Sequence, residues 1–120
     1  MTNYRNVVKD YPVTDRPVYL TITIGEGQIG TSAVMLGNRL LKLGKVTDLL
    51  LGEGAELAGK ELRIKSLVSD TNDMTNRLTI SYRLTGGVKD WEGELSETVD
   101  RDGDSVIFRL KVHFLKAEEE

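Results

Sequence analysis

Cysteine is absent from the 120 residues, and histidine occurs once. The first absence removes disulfides, zinc–thiolate centres and thiol nucleophiles together. The second leaves any Ser-His-Asp device dependent on His113, yet no G-x-S-x-G elbow accompanies it. Proline is nearly missing, with Pro12 and Pro17 both in the opening segment, and the aromatics number two Phe, four Tyr and one Trp. Sixteen basic residues are scattered among nineteen acidic ones for a net charge of −3. No basic stripe interleaved with aromatics forms, so a nucleic-acid partner is not expected. No apolar run approaches the roughly 20 residues that cross a bilayer, and no membrane partner is expected. The first ten residues lack the basic-then-apolar layout of a signal peptide, which makes a cytoplasmic location the expectation.

What is present is alternation with a period of two, the mark of half-buried strands. Val18-Tyr-Leu-Thr-Ile-Thr-Ile24 points Val18, Leu20, Ile22 and Ile24 one way and its threonines the other. Leu78, Ile80, Tyr82 and Leu84 form the inner face of a later strand, and Val106, Phe108, Leu110, Val112 and Phe114 that of the last one. Gly37-Asn38 between two apolar runs reads as a two-residue hairpin. In Glu61–Lys65 the alternation set by Leu62 and Ile64 is broken by Leu67, which predicts a bulge near Ser66. Asp102-Gly103 is a type I′ turn signal. Folding about it would pair Val99 with Val106, Leu95 with Leu110 and Trp91 with Phe114. The same register sets Glu94 opposite Lys111 and Glu92 opposite His113.

Seven or eight strands joined by short turns predict one all-β domain, an antiparallel β-sandwich, with a small β-barrel as the alternative. Residues 1–17 read as a loosely ordered N-terminal arm able to add a short edge strand, residues 18–115 as the sandwich, and residues 116–120 as an acidic tail.

Gly25-Glu-Gly-Gln-Ile-Gly30 matches G-x-G-x-x-G after a strand. A dinucleotide-binding first strand is apolar on both faces, however, and a helix must open at the third glycine. With Thr21 and Thr23 on one face, a glycine-rich β-loop is the better reading. Asp100, Asp102 and Asp104 are spaced like oxygen ligands of a calcium loop, with Asp70, Asn72 and Asp73 as further donors if the two loops share an end. The glycine stands at the fourth position of that loop instead of the sixth, which favours an acidic turn, and calcium is the one cofactor left in view.

Glu97 breaks the alternation: burying Leu95 and Val99 puts its carboxylate on the apolar face, opposite Phe108. It is either a rim residue or a pocket carboxylate. Trp91 and Tyr82 would make an aromatic carbohydrate platform if they faced outward, and core packing if inward. Arg39, Lys42 and Lys45 read as a charged edge that discourages strand pairing. No convergent set of acids and nucleophiles emerges, so the chain is not expected to be an enzyme. The expected role is a non-catalytic interaction module, a structural or adaptor subunit that docks onto other protein subunits, copies of itself included. A carbohydrate- or small-ligand-binding module is the alternative.

Overall fold

The computed structural model describes residues 2–25, 28–71, 76–99 and 104–117. Among them the chain forms β1 (Thr2–Val13), β2 (Pro17–Ile24), β3 (Ile29–Leu36), β4 (Arg39–Gly44) and β5 (Leu49–Glu53). A single helical turn, α1 (Gly54–Leu57), precedes β6 (Glu61–Ser69), β7 (Arg77–Thr85), β8 (Trp91–Thr98) and β9 (Ser105–Lys116). The strands build two separate sheets, of order β1-β9-β6-β3-β4 and β5-β2-β7-β8. The chain is therefore an all-β sandwich, and the sheets do not close into a barrel.

Alternation marks the inner faces well. Val18, Leu20 and Ile22 of β2, Leu78, Ile80, Tyr82 and Leu84 of β7, and Val106, Phe108, Leu110, Val112 and Phe114 of β9 are all buried. They form one core with Leu62, Ile64 and Val68 of β6. The Gly37-Asn38 turn joins β3 to β4 as expected, with Leu36 paired to Arg39 across it. Strand β9 runs on to Lys116, and residues 118–120 of the acidic tail lie outside the described residues.

Neighbour relations depart from expectation in three places. The first is the β8–β9 hairpin. β8 pairs with β7, whereas β9 pairs with β6 and β1 in the other sheet. Both strands turn their apolar faces to the same core from opposite sheets, so alternation alone cannot distinguish this crossover from a hairpin. Residues 100–103, which carry the turn signal, lie outside the described residues. Glu92 stands opposite Arg83, not His113, and Glu94 opposite Ser81, not Lys111.

The second is the N-terminal segment. Thr2–Val13 is no short addition but a twelve-residue strand, parallel to β9 along its whole length from Thr2↔Ser105 to Val13↔Lys116. Every other strand pairing among the described residues is antiparallel. This strand raises the count among the described residues to nine. Its pattern is obscured because Arg5 and Lys9 occupy inward-facing positions, where a strand inside a sheet would carry apolar residues. An edge strand tolerates them at the sandwich margin, and inward charges there discourage further pairing. The Lys9 ammonium lies 5.5 Å from the centroid of the Trp91 ring on β8.

The C-terminal end of β1 closes this margin. Tyr11 is buried, and its hydroxyl accepts from Gly87 N at 3.0 Å and donates to Leu84 O at 3.3 Å. Val13 bridges to Gly87, Val88 N donates to Pro12 O at 3.1 Å, and the Arg16 guanidinium donates to Gly87 O. Any side chain at position 87 would begin 2.6 Å from both the Tyr11 ring and Pro12 O, so this seam requires glycine.

The third is β6, which contains no bulge: its ladders to β3 and β9 run without a shift. Ser66 takes the inward position and Leu67 points to solvent. The buried Ser66 and Ser32 hydroxyls share a hydrogen bond of 2.6 Å, so two partnered polar groups replace the apolar residue that alternation requires.

Candidate functional site

Antiparallel sheets in a sandwich bury one face and present the other to water. The outer face of the five-stranded sheet is unusual in what it presents. On β6 and β9 its central positions are Arg63, Lys65, Arg109 and Lys111, all exposed. The register sets Arg63 directly opposite Lys111 and Lys65 directly opposite Arg109. Two like-charge pairs side by side oppose folding, since directly opposed like charges repel across a strand pair.

Apolar side chains frame these cations on both sides. Val8 of β1 stands beside Lys111. Met35 and Ala33 of β3 stand beside Arg63 and Lys65, and beyond them lie Leu40 and Leu43 of β4. Val8 is 63% exposed, Leu40 53% and Leu43 69%. Toward one end of the face Leu67 adjoins Ile107; toward the other, His113 lies between Asp10 and Glu61. A shallow depression of about 490 Å³ runs over the cations from Val8 to Met35.

Contacts at the margin of the block are weak ones. Lys111 Nζ lies 3.5 Å from Glu61 Oε1, and Arg63 donates to Gly37 O at 2.8 Å. Both contacts are solvent-exposed and hold their partners weakly. Chemically, the arrangement offers fixed positive charge beside carbon surface on a rigid sheet. That combination suits the holding of a complementary surface.

The four-stranded sheet presents a different outer face. Thr21, Thr23, Ser81 and Thr85 dominate it, and its opposed charges have opposite sign, with Arg83 Nε 3.6 Å from Glu92 Oε1. Thr79 and Ser96 share a hydrogen bond of 3.2 Å, and Asp48 N donates to Thr21 Oγ1 at 2.9 Å.

The residues singled out in the sequence do not gather into one site. Tyr82 lies in the core, 1% exposed, and burial pushes its phenol pKa well above the ordinary value of 10, an effect the neighbouring Ser66 hydroxyl only partly offsets. Trp91 is half-buried on edge strand β8, its ring lying over Gly93, where a Cβ would come within 2.3 Å of it. With Tyr82 inside and the Trp91 ring against Gly93 and Lys9, the two do not form an outward platform. Glu97 is half-exposed and stands opposite Leu78 on β7, not Phe108 on β9.

Asp100 and Asp102 lie outside the described residues, as do Asn72 and Asp73. Asp104 starts the approach to β9, and its carbonyl accepts from Asp70 N at 2.9 Å, so these two of the residues weighed as calcium ligands lie side by side in the backbone. Among the described residues no group of three or more His, Asp or Glu side chains converges as metal ligands. Of the glycine-rich segment, Gln28 N donates to Gly25 O at 3.2 Å and strand β3 starts at Ile29, while residues 26 and 27 lie outside the described residues.

The four cations and their apolar frame do not stand out from the sequence. Their signal there is Arg-x-Lys at 63–65 and again at 109–111, each placing two cations on one strand face. That the two pairs adjoin depends on β6 pairing with β9, a neighbour relation that the turn signal at 102–103 points away from. No helix among the described residues is long and apolar enough to cross a membrane. Comparison with protein-family models, curated proteins and solved structures finds no match to this chain.

Proposed function

We propose that the chain is a non-catalytic β-sandwich interaction module, a structural or adaptor subunit that docks onto other protein subunits through the outer face of its five-stranded sheet. The observation that carries this reading is the distribution of exposed apolar side chains. Val8, Ile29, Leu40, Leu43, Leu67 and Leu115 all project from that one face. The opposite face carries Tyr19 and Leu50 amid hydroxyls. Single exposed apolar residues are ordinary; several concentrated on one rigid face mark an interaction surface.

The test compares native mass in gently lysed source cells for the tagged chain and its Leu40→Asp/Leu43→Asp variant. Both leucines are exposed, so the variant should melt at the wild-type temperature while losing a companion that wild type retains. Identical native masses for the two folded proteins would contradict the reading. Deleting residues 1–17 would not serve as a test, because Tyr11 and Val13 belong to the core.

A further inference from the structure

We infer that the partner presents carboxylates to the outer face of the five-stranded sheet: an acidic protein segment with apolar side chains beside its acids. This rests on the docking reading and names the chemistry of the occupant. Arg63 opposite Lys111 and Lys65 opposite Arg109 form a two-by-two block of positive charge. On each strand the two cations are two positions apart, hence about 6.6–6.8 Å along the sheet, and the strands are about 4.8 Å apart.

A solvent-facing position accepts a hydroxyl or a carboxylate as readily, and the other sheet uses both. A block of like charge that weakens its own sheet becomes favourable once carboxylates lie over it, because attraction to the partner and relief of the repulsion act together. The surrounding frame narrows the class of anion. Val8 on one side and Leu40 and Leu43 on the other present carbon, to which a phosphate backbone has nothing to offer. A protein segment mixing glutamate or aspartate with leucine or valine satisfies the cations and the frame together.

The probe is a peptide in which glutamate alternates with leucine and serine, titrated into the full-length protein while backbone amide shifts are followed. The control peptide carries glutamine in place of glutamate. The expected shifts centre on Arg63, Lys65, Arg109 and Lys111 and extend to Val8 and Met35, and affinity should fall steeply as salt rises. Lys65→Glu/Arg109→Glu should weaken binding by about tenfold or more, the equivalent of about 1.4 kcal/mol. Should that double reversal disturb the fold, Lys65→Gln/Arg109→Gln removes the charge without reversing it and should weaken binding in the same direction.

Equal binding of the glutamine peptide would overturn the inference, as would shifts confined to the four-stranded face. Tighter binding of an oligothymidylate or of phosphatidylserine vesicles at about 150 mM salt would overturn it in favour of another anion. If Leu40→Asp/Leu43→Asp loses the cellular companion while Lys65→Glu/Arg109→Glu retains it, docking stands and the acidic partner falls. If neither variant loses it, both fall.

Discussion

The two outer faces of this sandwich solve the same structural problem with opposite electrostatics. Each covers a buried sheet and must stay wetted. On the four-stranded sheet the charge opposite Arg83 is Glu92, and threonine and serine fill most of the remaining positions. On the five-stranded sheet the charge opposite Arg63 is Lys111 and the charge opposite Lys65 is Arg109. The first face is arranged as cross-strand physics favours. The second forgoes that stabilisation and exposes leucine and valine besides. Where a face is poorer for folding and richer in contacts, function is the natural explanation.

The contrast can be broken most sharply from underneath. Leu62 is fully buried on the inner side of β6, directly between positions 61 and 63 whose side chains look outward. Leu62→Ala should cost about 2–5 kcal/mol by urea unfolding, whereas Leu40→Ala on the outer side should stay within about 0.5 kcal/mol. A large cost at Leu40 would mean that its exposed face is structural, and the comparison would fail.

The seam that joins the faces comes next. Tyr11→Phe removes the hydroxyl that bonds both Gly87 N and Leu84 O and leaves the buried Gly87 amide without that acceptor. The expected loss is about 1–3 kcal/mol. Tyr82→Phe should be close to neutral, because the Ser66 hydroxyl beside it is already engaged with Ser32. The two tyrosines also set an alkaline limit. Burial raises both phenol pKa values above 10, so the native protein keeps protons that the unfolded chain releases near pH 10. Stability is therefore fully present below pH 10 and declines above it. A melting temperature that held level across pH 10 would contradict that burial.

Smaller still are the effects on the faces themselves, and there the signs should differ. Lys65→Glu should raise stability by about 0.2–1 kcal/mol at low salt, since it turns a repelling pair with Arg109 into an attracting one. Glu92→Gln should lower stability by no more than about 0.5 kcal/mol through the loss of an exposed pair with Arg83. Thermal melts at low and high salt would separate them, because both effects shrink as salt rises. Equal signs for the two substitutions would mean that the faces are electrostatically alike.

Much of the fold is legible in the sequence because its buried strands carry an unmixed apolar face. The alternations at 18–24, 78–84 and 106–114 each identify the side that is buried. Which strand pairs with which is not legible. Trp91–Val99 and Val106–Phe114 face one core, and a hairpin and a sheet-to-sheet crossover satisfy that requirement equally. β1 is obscured for a different reason: Arg5 and Lys9 take inward positions only an edge strand can tolerate, so its pattern imitates a loop. At Ser66 a hydroxyl paired with Ser32 stands in for an apolar residue, and the sequence carries no mark of that pairing. The candidate site inherits the first of these difficulties. Arg63 and Lys65 are distant in sequence from Arg109 and Lys111, and only the β6–β9 ladder brings the four together.

The most direct test is lysine footprinting of the endogenous chain, read by mass spectrometry in a gentle extract and again on the purified protein. If the five-stranded face docks a partner, Lys65 and Lys111 will be acylated more slowly in the extract. Lys60 and Lys89, exposed elsewhere, will react alike in both. Equal labelling of Lys65 and Lys111 in the two samples, or protection confined to Lys60 and Lys89, would contradict the account.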